Sequence, residues 1–172
     1  MKRGYIQLYT GNGKGKTTAA LGQALRAAGR GMKTLVIQFL KGQKYGELES
    51  AKRFSEYIKI EQMGRDTFVH ISGPAAEDIA LAEKGMERAR QALQEDWDIL
   101  VLDEVNVAIY FRLLRVAEVL ELLDSKPEGL EIILTGRYAP PELIKRADLV
   151  TRMEQIKHYY SQGVQARDGI ER

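Results

Sequence analysis

The sequence predicts an α/β protein built around a mainly parallel sheet, and three observations support this fold class. Apolar runs of strand length alternate with longer amphipathic stretches along the 172 residues, the pattern of strands joined by crossover helices. Hydrophobic residues make up 44% and charged residues 29% of the chain, as in folded globular proteins. The length suits one domain over residues 1–172, and no linker rich in Pro, Gly or Ser divides it.

The first elements alternate strand and helix. Residues 5–9 are apolar enough for a strand, and a helix is predicted from about 16 to 28. Glycines at 29 and 31 end this helix, because glycine tolerates the left-handed conformation that helix ends favour. A second buried strand is predicted at 34–39, and a basic loop over 41–46 follows it.

The later elements continue the alternation, with an apolar face at helical spacing in the longest helix. They are predicted in this order: strand 58–62, helix 75–95, strand 98–104, a helical stretch to 123, strand 131–135, a short helix from about 140, and strand 149–153. The polar tail over 154–172 contains glycine and histidine, so we expect an ordered functional flap there.

Composition excludes several classes of site and partner. The chain has no cysteine, which removes disulfides, thiolate nucleophiles and Cys-ligated metals, and suits a reducing compartment. The net charge of +2 is too balanced for a nucleic-acid footprint. No signal peptide is visible and no apolar run approaches the roughly 20 residues of a membrane span. We therefore expect a cytoplasmic enzyme without nucleic-acid or membrane partners.

A glycine-rich loop lies between the first strand and the first helix. We predict that it binds the triphosphate of ATP together with Mg²⁺, because inward-facing backbone N–H groups and a helix N-terminus attract phosphate. Lys16 supplies a positive charge to phosphate oxygens, and the Thr17 hydroxyl can ligate Mg²⁺. The predicted nucleotide-binding residues of the loop are Gly11, Asn12, Gly13, Lys14, Gly15, Lys16, Thr17 and Thr18.

The loop is a variant of the standard phosphate-binding pattern G-x-x-x-x-G-K-[ST]. Thr10 stands where that pattern has its first glycine, and Lys14 is an additional lysine inside the loop. The alternative interpretation is a tight strand-to-helix turn with an incidental lysine. The functional interpretation is favoured because strand, loop, Lys-Thr pair and helix all agree.

Two carboxylates end the most apolar strand of the chain. Asp103 and Glu104 follow four apolar residues, and a carboxylate at a strand end can reach Mg²⁺ directly or through water. Alternatively, the two acids simply favour the positive end of the next helix. Ligands gather at the carboxyl ends of parallel strands, so the glycine loop supports the metal role. Together the motifs predict a three-layer P-loop fold of the RecA-like type.

Four further segments make the motif set more specific, and with the loop they cover nearly the whole chain. They are Gln38-Phe39-Leu40-Lys41-Gly42, Leu102-Asp103-Glu104-Val105, Leu134-Thr135-Gly136-Arg137, and Ile156-Lys157-His158 with Gly163 to Glu171. In this order the segments resemble the ATP:corrinoid adenosyltransferases, the family that makes adenosylcobalamin. The last segment discriminates most, since generic ATPases have no K-H…G-V-x-A-x-x-G-I-[DE] tail.

The resemblance implies an unusual use of ATP. The substrate is a reduced corrinoid, cobalamin or a precursor, whose Co(I) attacks the 5′ carbon of the ribose and displaces the whole triphosphate. The loop would then stabilise a leaving group, with ATP bound in the orientation opposite to that of ordinary P-loop enzymes. The corrinoid carries the difficult chemistry. The family also implies a homodimer and a flavoprotein electron donor.

The resemblance also assigns roles to polar residues. Lys16, Thr17 and Glu104 are expected to be catalytic, and Thr17 and Glu104 to hold Mg²⁺ with support from Asp103. Arg137 lies at a predicted strand end, where it is either a phosphate ligand or an ordinary surface arginine.

The corrinoid requires an apolar face. Phe68, with Phe39 and Met63, is the candidate, although the family has more aromatic residues after the glycine of this region than this chain has. His70 could ligate cobalt, but a lone histidine beside a strand is more often hydrogen-bonded or exposed. His158 is expected to be a structural hydrogen-bonding residue of the tail.

Two other functions are compatible with the nucleotide motifs alone. The first is a generic P-loop ATPase or small-molecule kinase, although the sequence shows no cluster of arginines of the kind that forms a kinase lid. The second is a non-catalytic, nucleotide-dependent switch, which the acidic strand end argues against.

Overall fold

The computed structural model describes residues 3–66 and 73–171 and contains one six-stranded sheet. Every strand pair in it is parallel, and the spatial order is β3-β2-β4-β5-β1-β6. The strands are β1 (Ile6–Thr10), β2 (Thr34–Phe39), β3 (Ile58–Met63), β4 (Ile99–Asp103), β5 (Glu131–Thr135) and β6 (Leu149–Arg152). All six lie within two residues of the predicted bounds.

Helices connect the strands, and three of them differ from the prediction. The helices are α1 (Lys16–Ala28), α2 (Gly46–Arg53), α3 (Ala76–Ala92), α4 (Val105–Tyr110), α5 (Val116–Asp124) and α6 (Pro141–Arg146), with a 3₁₀ turn at Tyr159–Gln162. Helix α2 was not predicted, and α4 and α5 were predicted as one continuous helical stretch. Within the described residues no helix is long and apolar enough to cross a membrane.

The sheet is buried on both faces, which explains its apolar strands. Side chains alternate across a strand, so Leu35 and Ile37 of β2 face one apolar cluster, while Val36 faces the other. The first cluster contains residues of α3, α5 and α6, and the second contains α1. Parallel sheets require this covering on both faces. The predicted three-layer architecture is confirmed.

Buried polar residues concentrate at one edge of this sheet. Thr10, Gln38, Asp103 and Thr135 lie near the carboxyl ends of four different strands and are at most 8% exposed. Because β5 lies between β1 and β4 in the sheet, Thr135 stands between the glycine loop and Asp103. Buried polar groups need hydrogen-bond partners, so this edge is where a functional site is to be sought.

Candidate functional site

The glycine loop packs against the chain that follows β6. Gly11 has a φ of 97°, and a Cβ there would lie 2.2 Å from the carbonyl oxygen of Met153, so only glycine is accommodated. The N–H of Gly13 donates to the same oxygen over 2.8 Å. The loop is therefore held by main-chain contacts, and its shape does not depend on a side-chain cap.

Lys16 spans the loop from the first turn of α1. Its ammonium donates to the carbonyl oxygens of Gly11 and Gly13, at 2.8 Å each. Burial lowers the pKa of Lys16. The nearby Arg137 lowers this pKa further, while Glu104 raises it. The charge of Lys16 thus lies over the concave side of the loop, where a phosphate chain would meet the N-terminus of α1.

Asp103 is fully buried and forms the centre of a polar network. Its Oδ1 accepts hydrogen bonds from the hydroxyls of Thr17, at 2.8 Å, and Thr135, at 2.6 Å. Its Oδ2 accepts from Lys41, at 2.8 Å, and from Gln38, at 3.3 Å. With both oxygens engaged, Asp103 fixes the orientation of the Thr17 hydroxyl.

Glu104 occupies a strained position at the start of α4. Its φ is 61°, which costs a non-glycine residue about 1–2 kcal/mol, and its N–H donates to Thr135 Oγ1 at 2.9 Å. Burial raises the pKa of the Glu104 carboxyl, and the neighbouring Asp103 raises it further. Among the described residues no hydrogen bond or ion pair engages this carboxylate. Such strain is typical of functional positions.

The turn after β5 brings a further cation to the cleft. Gly136 has a φ of 131°, and a Cβ there would lie 3.0 Å from the Asn106 side chain and 3.3 Å from Glu104 Oε2. The buried amide of Asn106 donates to the carbonyl oxygen of Gly136 at 2.9 Å. Arg137 follows directly and is exposed at the wall of the cleft.

The tail forms the opposite wall of the cleft. Glu171 accepts hydrogen bonds from Tyr159 and from both ends of the Arg167 guanidinium. These two residues lower the pKa of Glu171 to about 2, and Arg167 lies 4.9 Å from the centre of the Tyr159 ring. His158 Nδ1 accepts from the N–H of Tyr160 at 3.1 Å, as expected of a structural histidine.

These elements enclose a cleft of about 1020 Å³ at the carboxyl edge of the sheet. Four cations line it, together with the acids Glu47, Glu104 and Glu171. The cations are Lys14, Lys16, Lys41 and Arg137. A pocket of this size and charge suits a polyanionic ligand of nucleotide size.

The structure brings most of the predicted site residues together. Residues 12–18 of the loop line the cleft, with Glu104 and Arg137. Gly11 is not among the lining residues, and Asp103 is buried behind Thr17. The site also contains Gln38, Lys41 and Thr135, which were not individually predicted. Their signal was a polar residue inside or just beyond an apolar strand.

Two of the three apolar residues predicted to grip the corrinoid do not line this cleft. Phe39 and Met63 are 0% and 7% exposed and lie in the core beside α3, so the structure corrects their assignment. Phe68 and His70 lie outside the described residues, and the proposed corrinoid contact of Phe68 stays a prediction.

Comparison with known proteins gives a consistent result. A family model described as ATP:corrinoid adenosyltransferase BtuR/CobO/CobP matches residues 2–172. A corrinoid adenosyltransferase of a Sinorhizobium species is 39% identical over 99% of this chain and 81% of its own length. The protein of the same name from Pseudomonas aeruginosa is 38% identical over 99% of this chain and 84% of its own. The Escherichia coli K12 protein of that name is 33% identical, with coverages of 99% and 86%.

A solved structure supports the fold class. The RadB recombinase superposes with a TM-score of 0.59, covering 91% of this chain and 77% of its own, at 14% identity. At this identity the similarity concerns the fold alone, and it confirms the RecA-like architecture.

Proposed function

The chain belongs to the ATP:corrinoid adenosyltransferase family, and from this premise we propose how its cleft carries out the reaction. The enzyme transfers the 5′-deoxyadenosyl group of ATP to the cobalt of a reduced corrinoid, a step of cobalamin biosynthesis. One observation supports our assignment of the site above all. Thr17, Asp103 and Glu104 meet at one end of the sheet, beside the lysine of the glycine loop.

The main task of the protein is to stabilise a leaving group. A cobalt–carbon bond forms at C5′ while the C5′–O5′ bond breaks, and the electron pair of that bond leaves with the triphosphate. Lys16, Arg137 and the N-terminus of α1 face the position where this charge grows. Preorganised positive groups of this kind lower the barrier because they need no rearrangement during the reaction. No side chain has to act as nucleophile, acid or base.

The cleft has the ligand chemistry that Mg²⁺ requires. The Thr17 hydroxyl donates its hydrogen bond to Asp103, so the oxygen lone pairs are free to bind a metal, and the Glu104 carboxylate faces the cleft. No group of three or more His, Asp or Glu residues among the described residues could hold a metal alone, as expected where phosphate oxygens supply most ligands. Thr17 and Glu104 would hold Mg²⁺, which would neutralise part of the triphosphate charge.

We assign the remaining architecture to substrate enclosure. The chain would act as one domain, and the tail over 154–172 would close the cleft around the adenosine. The salt bridge and hydrogen bonds of Glu171 support an ordered tail. Excluding water from such a site strengthens its electrostatic interactions.

The reaction products test the proposal. With ATP, Mg²⁺ and a chemically reduced corrinoid, the protein should form an alkylcobalt product, visible in its absorption spectrum, and one equivalent of inorganic triphosphate. A reduced flavoprotein should replace the chemical reductant, since the cysteine-free chain has no obvious electron carrier of its own. Formation of phosphate or pyrophosphate instead would support the ATPase or kinase alternative and contradict our assignment.

We further propose that the enzyme works as a homodimer in the cytoplasm. Within residues 3–66 and 73–171, the edge strand β6 pairs only with β1. It exposes Leu149 and Val150, at 45% and 42%, and such edges are usually covered or protected. Light scattering of the purified protein should therefore give about twice the mass of 19.4 kDa. A monomer that retains full activity would contradict the proposed dimer. Recovery of the enzyme in a membrane or periplasmic fraction would contradict the proposed cytoplasmic location.

A further inference from the structure

Lys41 is held unusually firmly at the end of β2. The residue before it, Leu40, has a φ of 62° although it is not glycine. Gly64 also packs closely against this segment, since a Cβ at Gly64 would lie 2.3 Å from the main-chain nitrogen of Lys41. Strain of this kind persists only where the surrounding structure enforces it. The backbone thus delivers the Lys41 side chain to one defined place.

That place lies between two carboxylates. The Lys41 ammonium is 2.8 Å from Asp103 Oδ2 and 3.7 Å from Glu47 Oε1, and the side chains of Lys41 and Glu47 are 15% and 18% exposed. The amide of Gln38 donates to the same two oxygens, at 3.3 Å and 3.0 Å. The ring of Tyr45 lies 5.2 Å from the ammonium. Asp103 and Glu47 raise the pKa of Lys41 despite its burial.

This arrangement resembles a metal site in which the Lys41 ammonium, a cation that belongs to the chain itself, takes the position of the metal ion. Two carboxylates that converge on one point would attract a divalent ion, as paired acids do in two-metal enzymes. The ammonium supplies that charge permanently and does not dissociate. It therefore leaves the outer side of the cleft, at Thr17 and Glu104, as the place for an exchangeable ion.

We propose that Lys41 is a positioning residue that takes the place of a second metal ion. It neutralises the Asp103–Glu47 pair, keeps Asp103 directed at Thr17, and so limits the cleft to a single divalent cation. The inference rests on the proposed function only in treating the cleft as the site of a metal–triphosphate complex. Its consequence is a gain of function: without the ammonium, the two carboxylates become a new metal site.

The test is Lys41→Met, studied as the full chain without nucleotide or corrinoid. Addition of 1 mM Mn²⁺ should raise the melting temperature of this variant by about 7 °C, the effect of a ligand at roughly a hundred times its Kd. The wild type and the control Lys44→Met, an exposed lysine of the same loop, should shift by less than about 1 °C. In the presence of ATP, electron paramagnetic resonance should count two bound Mn²⁺ ions per K41M chain and one per wild-type chain.

Further variants separate this role from a purely structural one. Lys41→Arg keeps the charge and should behave as the wild type, while Lys41→Met combined with Glu47→Gln should lose the Mn²⁺ response. If K41M does not fold, Lys41→Gln offers an amide donor to Asp103, and the same Mn²⁺ shift is expected. Equal Mn²⁺ shifts and counts in K41M or K41Q and the wild type would overturn the inference. That result would leave the product assay, and hence the proposed function, untouched.

Discussion

Lys16→Ala is expected to weaken the binding of ATP and of inorganic triphosphate by about a hundredfold or more. The Lys16 ammonium lies 2.8 Å from two loop carbonyls, at the centre of the surface that we assign to the phosphates. A hydrogen bond to a charged group contributes about 1.5–3 kcal/mol, and two such bonds to phosphate oxygens would therefore account for a loss of this size. Isothermal titration with triphosphate measures it directly.

The fold should survive this substitution. One hydrogen bond from Gly13 to Met153 and one from Met153 to Thr10 hold the loop independently of the lysine. Helix α1 packs on the sheet through Ala20 and Ala27. Far-ultraviolet circular dichroism should therefore be unchanged.

Lys14→Ala is the matched control, because Lys14 is an exposed lysine of the same loop. Its loss should weaken triphosphate binding by less than about tenfold, as for a screened surface charge. Unchanged affinity in the Lys16 variant would mean that the triphosphate binds elsewhere. Equal losses in both variants would mean that the loop attracts phosphate only through its net charge.

The glycine loop was predictable because its information is local. Strand, glycines, Lys16 and Thr17 are contiguous, and each residue type has a geometric reason to stand at that point of the chain. The apolar strands were predictable for a similar reason, since a sheet covered on both faces needs continuous apolar runs.

The Asp103 network was not predictable in the same way. It joins β2, β4, β5 and α1, and the order of strands in the sheet is not encoded in any single segment. The sequence did contain a trace of it: Gln38 interrupts an otherwise apolar strand and proves to be 0% exposed. A buried polar residue requires partners, so such interruptions identify network positions before the partners are known.

Left-handed residues other than glycine gave no sequence signal. Leu40, Glu104 and Arg112 all have φ near 60°, and Arg112 ends the first part of what had been predicted as one helix. Helix α2 was missed because none of its residues is buried, so it lacks the apolar periodicity on which the prediction depends. In each case tertiary contacts decide the local conformation.

Glu104→Gln is expected to separate metal binding from folding. In the folded protein, burial and Asp103 raise the pKa of Glu104 above its ordinary value of 4.5. Ionising Glu104 is therefore less favourable in the folded than in the unfolded chain, and stability falls as the pH rises from 4.5 to the raised value. Glutamine at position 104 has no ionisable group, so the variant does not lose this stability. Without metal, the variant should melt above the wild type at pH 8, and the two curves should converge as the pH falls below 4.5.

Catalysis should change in the opposite direction. The amide keeps the shape of the side chain but lacks the charge that we assign to Mg²⁺ binding, so the Mg²⁺ concentration for half-maximal activity should rise by about 10- to 100-fold, the range seen when groups around bound metals are altered. Glu142→Gln, an exposed acid on α6, provides the control and should change neither quantity. A higher Mg²⁺ requirement together with undiminished stability would show that the Glu104 carboxylate binds a ligand and does not stabilise the fold. A lower melting temperature with unchanged Mg²⁺ dependence would instead identify Glu104 as a structural residue at the start of α4.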